Sequence, residues 1–203
     1  MTRRYAEAVA YACAAHRGQV RKGSETPYVA HPLAVSALVL QYGGDEDQAI
    51  AALLHDVLED CGEKHALEIE AHFGPRVLGI VRACTDGVAG EKAPWRQRKV
   101  AYIDHLQHVH EDALLVSLCD KLHNASAIHA DLLRHGAAVF DRFTADADGT
   151  VWYYDSLAKV FQRRLSGHPA VAALRREVDA ICRWRGDQIA GGTVLELRRV
   201  KQS

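Results

Sequence analysis

The chain has 203 residues, of which 48% are hydrophobic, and its formal net charge is -1 at pH 7. This length predicts one domain with a sizeable core, and the near-zero charge argues against general nucleic-acid binding. The sequence contains neither the apolar core of a signal peptide nor a stretch long enough to span a membrane. Five scattered cysteines without a CxxC pair favour reduced thiols, so we expect a cytoplasmic protein without a disulfide frame.

Hydrophobic periodicity and glycine or proline breakers predict helices along the whole chain. The predicted helices span residues 2–16, 31–41, 46–59, 65–73, 77–84, 95–108, 112–135, 150–166 and 169–189. Strands are nearly absent, so the predicted fold class is all-α, with one domain over residues 1–190. Residues 191–203 are a predicted C-terminal tail, in which residues 193–200 fit either a strand or a frayed helix.

The stretch at residues 51–60 sets four ionisable side chains, His55, Asp56, Glu59 and Asp60, against aliphatic residues of one predicted helix. An unpaired buried charge is costly, so this pattern favours a partner or a metal. Residues four apart share a helix face, which places His55 below Glu59 and Asp56 below Asp60. We expect His55 and Asp56 to share a divalent cation, with Glu59 and Asp60 left for acid–base chemistry. The alternative is an acidic surface face.

Two further stretches offer ligands of the same kind. His31 stands before Pro32 at the start of a predicted helix, and Asp120 interrupts an apolar run with Asn124 one turn further on. Two histidines and two aspartates make a mixed nitrogen and oxygen set, which suits Mn(II) with open water positions better than a closed zinc site. Each residue alone is also compatible with a satisfied polar group in the core.

In their order along the chain, these stretches resemble the HD hydrolase superfamily, and more narrowly the hydrolase domain of RelA/SpoT homologues, especially the stand-alone small alarmone hydrolases. The resemblance covers about residues 5–165. Its motifs are AHRGQ at 15–19, RKG at 21–23, TPYVAHP at 26–32, LLHDVLED at 53–60, FGPRV at 73–77, DKLHN at 120–124 and GTVWYY at 149–154. It implies an HD-domain helical bundle with a metal site in a central cleft.

The resemblance also implies a reaction and its residues. Such enzymes remove the 3′-diphosphate from the stringent-response alarmones (p)ppGpp, or from their adenine relatives (p)ppApp, and release pyrophosphate. On this basis Mn(II) is bound by His31, His55, Asp56 and Asp120. Glu59 and Asp60 are the implied catalytic acid–base pair, and the sequence does not divide the two roles between them.

Substrate recognition is predicted in the basic loop before His31. The planar guanidinium of Arg21 is expected to pack on a purine, with Lys22 beside it at the mouth of the cleft. Asn124 is expected near the ribose. The expected partners are small nucleotides, namely ppGpp, pppGpp and ppApp, without nucleic acid or membrane.

Three further assignments are less determined by the sequence. Arg98 and Lys99 are expected at the 5′-phosphates, although a solvated helix start fits them as well. Tyr28 either walls the base pocket or fills the core, and Lys121 either balances charge at the site or lies outside it. The histidines outside the ligand set, including His123, are interpreted as helix-surface or core residues.

Ala127 stands where many bifunctional Rel enzymes carry threonine, so the preferred purine remains open. Two alternative functions also remain. The first is an HD phosphohydrolase acting on another nucleotide. The second is a non-catalytic nucleotide-sensing or toxin-neutralising module, which predicts loss of Glu59 or Asp60, and the chain retains both.

Overall fold

The computed structural model describes the backbone of residues 1–85 and 93–200 and the side chains of residues 1–85 and 93–186. Within these residues the chain forms ten α-helices, two short 3₁₀ segments and one isolated antiparallel bridge between Val20 and Pro27. The prediction of an all-α fold is confirmed. Of the predicted loop at 86–94, residues 86–92 lie outside the described part of the chain.

Six helices build the first part of the chain, and their starts follow local capping chemistry. Asp45 and Gln48 form a capping box, in which each side chain bonds the backbone of the other. Thr2 accepts a hydrogen bond from the backbone of Arg4, and Pro75 occupies a first helical turn, where no backbone N–H is needed. The helices are α1 (Arg3–Ala15), α2 (Ala30–Gln41), α3 (Glu46–Leu54), α4 (Val57–Cys61), α5 (Ala66–Phe73) and α6 (Pro75–Cys84).

The predicted continuous helix over residues 46–59 is wrong, because the chain breaks into α3 and α4 at His55 and Asp56. Both residues keep helical dihedral angles, with φ and ψ of -59° and -32° at His55 and of -94° and -6° at Asp56. Asp60 N donates to Asp56 O at 2.9 Å, so Asp56 still lies one helical turn before Asp60, as the spacing predicts. The expected burial also fails for Glu59 and Asp60, which are exposed.

The second part of the chain consists of α7 (Trp95–His105), α8 (Glu111–His135), α9 (Ala147–Arg164) and α10 (Pro169–Val200). Helix α9 begins three residues before its predicted start, because Asp146 caps it by accepting a hydrogen bond from Gly149 N at 2.8 Å. Residues 193–200 belong to α10, which resolves the choice between strand and helix. The domain boundary at residue 190 stays a prediction.

Helix α8 is the centre of the bundle. Eight consecutive residues, from Ala113 to Asp120, are buried, because α2, α3, α6 and α10 pack around this helix. Its middle therefore meets the start of α2 and the joint between α3 and α4, which brings the predicted ligands together. In the described part of the chain, no helix combines the length and the apolarity that crossing a bilayer requires.

Candidate active site

Four side chains meet where α2, α8 and the α3–α4 joint converge. His31 Nε2 lies 3.5 Å from Asp56 Oδ2 and 3.1 Å from Asp120 Oδ1. His55 Nε2 lies 3.1 Å from Asp56 Oδ2 and 3.6 Å from Asp120 Oδ1. The two histidines are each 2% exposed, so this cluster sits at the floor of the cleft.

Both histidine rings are oriented through their other nitrogen. His55 Nδ1 donates to the carbonyl oxygen of Ala52 at 2.8 Å, which leaves Nε2 facing the carboxylates. His31 Nδ1 lies 2.8 Å from His123 Nδ1, which orients the second ring in the same way. Such a second hydrogen bond is the usual support of a metal-binding histidine.

The cluster sets two carboxylates, Asp56 and Asp120, against one lysine, and their negative charge acts on His55. Burial lowers the pKa of His55, but the carboxylates of Asp56 and Asp120 outweigh it and hold that pKa above its ordinary value. Lys121 Nζ contacts Asp120 Oδ2 at 2.7 Å, so Lys121 balances charge at the site and does not lie outside it. Although burial raises the pKa of Asp120, Lys121 holds it well below its usual range. The site therefore favours a bound cation.

The donor set fits a divalent metal. His55 Nε2 is buried without a hydrogen-bond partner among the described residues, although it lies beside two carboxylate oxygens. A cation held by nitrogen and oxygen donors at about 2.1 Å keeps neighbouring donors roughly 3.0–3.4 Å apart. The observed separations of 3.1–3.6 Å approach this spacing. His31, His55, Asp56 and Asp120 are therefore the residues that would hold the metal.

Glu59 and Asp60 stand above the cluster on the short helix α4. Glu59 lines the cleft. Partial desolvation, followed by the negative charge of Asp56, raises the pKa of Asp60 above its ordinary value. A carboxyl with a raised pKa beside a metal cluster is suited to moving a proton.

The cleft continues from the cluster between α8 and the basic loop and has a volume of about 850 Å³. Arg21 Nη2 donates to Asn124 Oδ1 at 3.0 Å, and Asn124 Nδ2 donates to Asp120 Oδ1 at 2.6 Å. Asn124 thus connects the basic loop to the metal cluster. Lys22 lines the cleft next to Arg21.

The remaining predicted substrate residues also line the cleft. Tyr28 donates its hydroxyl to Asp56 Oδ2 at 2.6 Å. It therefore supports a carboxylate of the cluster, a role that neither sequence interpretation included. Arg98 and Lys99 reach the cleft from α7, and Lys99 Nζ lies 4.9 Å from the ring centre of Tyr153.

Sequence reasoning missed His123, and it missed the outer wall formed by residues such as Asp131 and Arg142. One signal was available for this wall. Residues 124, 127 and 131 follow the helical spacing of one face of α8, and all three line the cleft. Arg142 carried no such signal, because it reaches the cleft from the 3₁₀ segment Gly136–Arg142 after α8.

Three kinds of comparison relate this chain to known proteins. The family model described as "HD domain" matches residues 8–151. The MESH1 guanosine-3′,5′-bis(diphosphate) 3′-pyrophosphohydrolase of Xenopus tropicalis is 42% identical over 121 residues, which cover 58% of this chain and 65% of that protein. A guanosine-3′,5′-bis(diphosphate) 3′-pyrophosphohydrolase of Vibrio cholerae is 35% identical to this chain. The match covers 57% of this chain and 17% of that protein.

A solved structure gives the same relationship at the level of the fold. It is described as a metazoan ortholog of SpoT that hydrolyzes ppGpp, and it shares 33% identity and a TM-score of 0.68 with this chain. The match covers 92% of this chain and 97% of the other. Since the family model spans most of the chain, the protein belongs to the HD domain family, as a relative of the ppGpp pyrophosphohydrolases.

Proposed function

We propose that this protein is a Mn(II)-dependent 3′-pyrophosphohydrolase of alarmone nucleotides, (p)ppGpp and/or (p)ppApp. The products are pyrophosphate and the 5′-phosphorylated nucleoside. The observation that supports this most strongly is one continuous cleft with the histidine–aspartate cluster at its floor and cationic side chains along its walls. These side chains are Arg21, Lys22, Arg98, Lys99 and Lys121. The relatives named for this reaction support the same substrate class.

The cationic walls suit a substrate with phosphate groups at two ends. The 3′-diphosphate belongs at the metal cluster, where His31, His55, Asp56 and Asp120 would hold Mn(II). When bound there, the cation supplies charge neutralisation at the phosphoryl oxygens and acidifies water. Arg98 and Lys99 are assigned to the 5′-phosphates, because α7 brings them to a different part of the cleft wall.

Glu59 and Asp60 are assigned to proton transfer. One carboxylate orients or deprotonates the attacking water, and the other gives a proton to the leaving ribose 3′-oxygen. The raised pKa of Asp60 is consistent with either role. Asn124 is held between Asp120 and Arg21, and this position between the metal cluster and the basic loop supports its assignment to the ribose.

The preference for Mn(II) follows from the donor chemistry. Two imidazole nitrogens favour a first-row transition ion over Mg(II), whereas two carboxylates keep the site harder than a thiolate zinc site. Tyr28 and Lys121 each bind one carboxylate of the cluster, so each withdraws some of its negative charge from the cation.

The test is incubation of the purified protein with ppGpp, pppGpp, pGpp and ppApp, with and without Mn(II), followed by nucleotide and pyrophosphate analysis. We expect stoichiometric pyrophosphate and the 5′-phosphorylated nucleoside from at least one alarmone. EDTA should abolish turnover, and Mn(II) should restore it better than Mg(II). Release of orthophosphate alone, or no turnover of any of the four nucleotides with Mn(II), would contradict the proposal.

A further inference from the structure

The cleft extends along α8 beyond Asn124. Its walls are formed by Ala127, Asp131, Arg134, Arg142, Phe143 and Thr144. Arg142 Nη1 donates to Asp131 Oδ2 at 3.0 Å, and these side chains are 26% and 32% exposed. This ion pair therefore stays accessible to a molecule bound in the cleft.

The position of Arg142 is set by Gly23 in the loop that carries Arg21. A Cβ atom on Gly23 would lie 2.4 Å from Arg142 Cδ, so the arginine lies directly against the glycine backbone. Gly23 also has a φ of +75°, which glycine adopts without steric cost. Arg142 is thereby held between the basic loop and Asp131, at the end of the cleft opposite the metal cluster.

Helix α8 sets the distances between the parts of the cleft. At a rise of 1.5 Å per residue, Asn124 lies about 6 Å beyond Asp120 along the helix, and Asp131 lies about 10 Å beyond Asn124. With the 3′-diphosphate at Asp120 and the ribose at Asn124, the next position along α8 would bring the outer edge of a base stacked on Arg21 toward Asp131. Ala127 lies between Asn124 and Asp131 on α8, and it lines the cleft. Its small side chain would leave space for the purine ring.

The ion pair matches one purine better than the other. The outer edge of guanine presents two N–H donors next to the O6 acceptor, whereas adenine presents an N–H donor next to the N1 acceptor. A carboxylate only accepts hydrogen bonds and a guanidinium only donates them. Asp131 can accept from both guanine donors while Arg142 donates to O6. With adenine, the N1 lone pair would face the carboxylate.

We propose that Asp131, held by Arg142, reads the base edge and makes the enzyme prefer guanine alarmones over adenine alarmones. This inference rests on the proposed function, because the metal cluster fixes which end of the nucleotide reaches Asp131. A charge-assisted hydrogen bond of this kind typically changes affinity by about 10- to 100-fold.

The test compares kcat/KM for ppGpp and ppApp in the wild type and in Asp131→Asn, which keeps the size of the side chain but replaces one acceptor with a donor. We expect the wild type to favour ppGpp by roughly tenfold or more, and the variant to lose most of this ratio through a slower reaction of ppGpp.

The matched control is Asp179→Asn. Asp179 pairs with Arg175 at 2.6 Å, and it is not among the residues that line the cleft. The control should keep the wild-type ratio. An unchanged ratio in Asp131→Asn, or a wild-type preference for ppApp, would overturn the inference.

Binding of GDP and ADP, measured by calorimetry, separates this inference from the proposed function. If none of the alarmones is cleaved, the proposed function fails. Tighter binding of GDP than ADP that is lost in Asp131→Asn would still support the base-reading role, and equal binding by the wild type would overturn it.

If Asp131→Asn does not fold, Arg142→Lys provides the test, because it keeps the charge but removes the planar donor pair. An unchanged ppGpp to ppApp ratio in that variant would count against the inference.

Discussion

His31 and His123 face each other with their Nδ1 atoms 2.8 Å apart. Burial, followed by the nearby His31 and Arg21, lowers the pKa of His123 to about 4, so this ring is neutral at pH 7. With a metal on His31 Nε2, the Nδ1 atom of His31 would carry the proton and donate a hydrogen bond to His123 Nδ1. The second ring therefore orients the metal-binding ring from behind.

Replacement of His123 by alanine should weaken metal binding without removing a ligand. Loss of such a supporting hydrogen bond typically costs about 10- to 100-fold in metal affinity. The measurement is Mn(II) affinity by competition with a chelator, at a pH where the wild type binds fully. His108→Ala is a suitable control, because His108 is exposed on the chain between α7 and α8 and should leave affinity unchanged. Equal affinities of the two variants would show that His123 has no orienting role.

The double variant His55→Ala, Asp120→Ala should lose both metal content and turnover. Each substitution removes one donor of the cluster and leaves the other donors with too few partners to hold a cation. Metal content by elemental analysis and pyrophosphate release are the two readouts. Retained metal and retained activity in this variant would refute the assignment of the cluster.

Glu59→Gln and Asp60→Asn should leave nucleotide binding nearly intact and lower kcat. Removal of a general acid or base typically costs about 10²- to 10⁴-fold. Both residues are exposed on α4, so neither amide substitution disturbs the core. Steady-state kinetics with Mn(II), together with binding of the intact nucleotide, separate the two effects. Wild-type turnover in both variants would exclude the acid–base assignment.

Asp60 should also affect the pH dependence of stability in the metal-free protein. Its pKa is higher in the folded chain than in the unfolded chain, so folding takes up a proton between these two pKa values. The stability contributed by this group is therefore present at low pH and is lost as pH rises through the folded pKa. Asp60→Asn should raise the melting temperature at pH 7 relative to the wild type, and the difference should shrink toward pH 4. A variant less stable than the wild type at pH 7 would contradict this sign.

Arg21→Ala should raise KM for ppGpp and ppApp by a similar factor. A stacked guanidinium contacts the flat face that both purines share, so its loss does not discriminate between them. Arg21→Lys should not restore KM, because an ammonium group lacks the planar face. A variant that weakens only one purine would show that Arg21 contacts the edge of the base.

The sequence alone predicted the all-α class and most of the helices, and it singled out four residues that the structure brings together. Helix periods and capping residues are local signals, as with Asp45 before α3, and they are readable without a tertiary structure. The ligand types were recognisable for a similar reason. His31, His55, Asp56 and Asp120 interrupt apolar runs, and such interruptions are costly unless the residues have a function.

Tertiary packing decided the geometry of the site. The sequence pattern favoured one continuous helix through His55 and Asp56, whereas the chain divides there into α3 and α4. The packing of α2, α3 and α8 brings both side chains to His31 and Asp120. Three contacts join segments whose pairing cannot be read from helical spacing. They are Tyr28 with Asp56, His123 with His31 and Arg142 with Asp131. Hydrogen bonds between distant segments depend on how the helices pack, and only the folded chain fixes that arrangement.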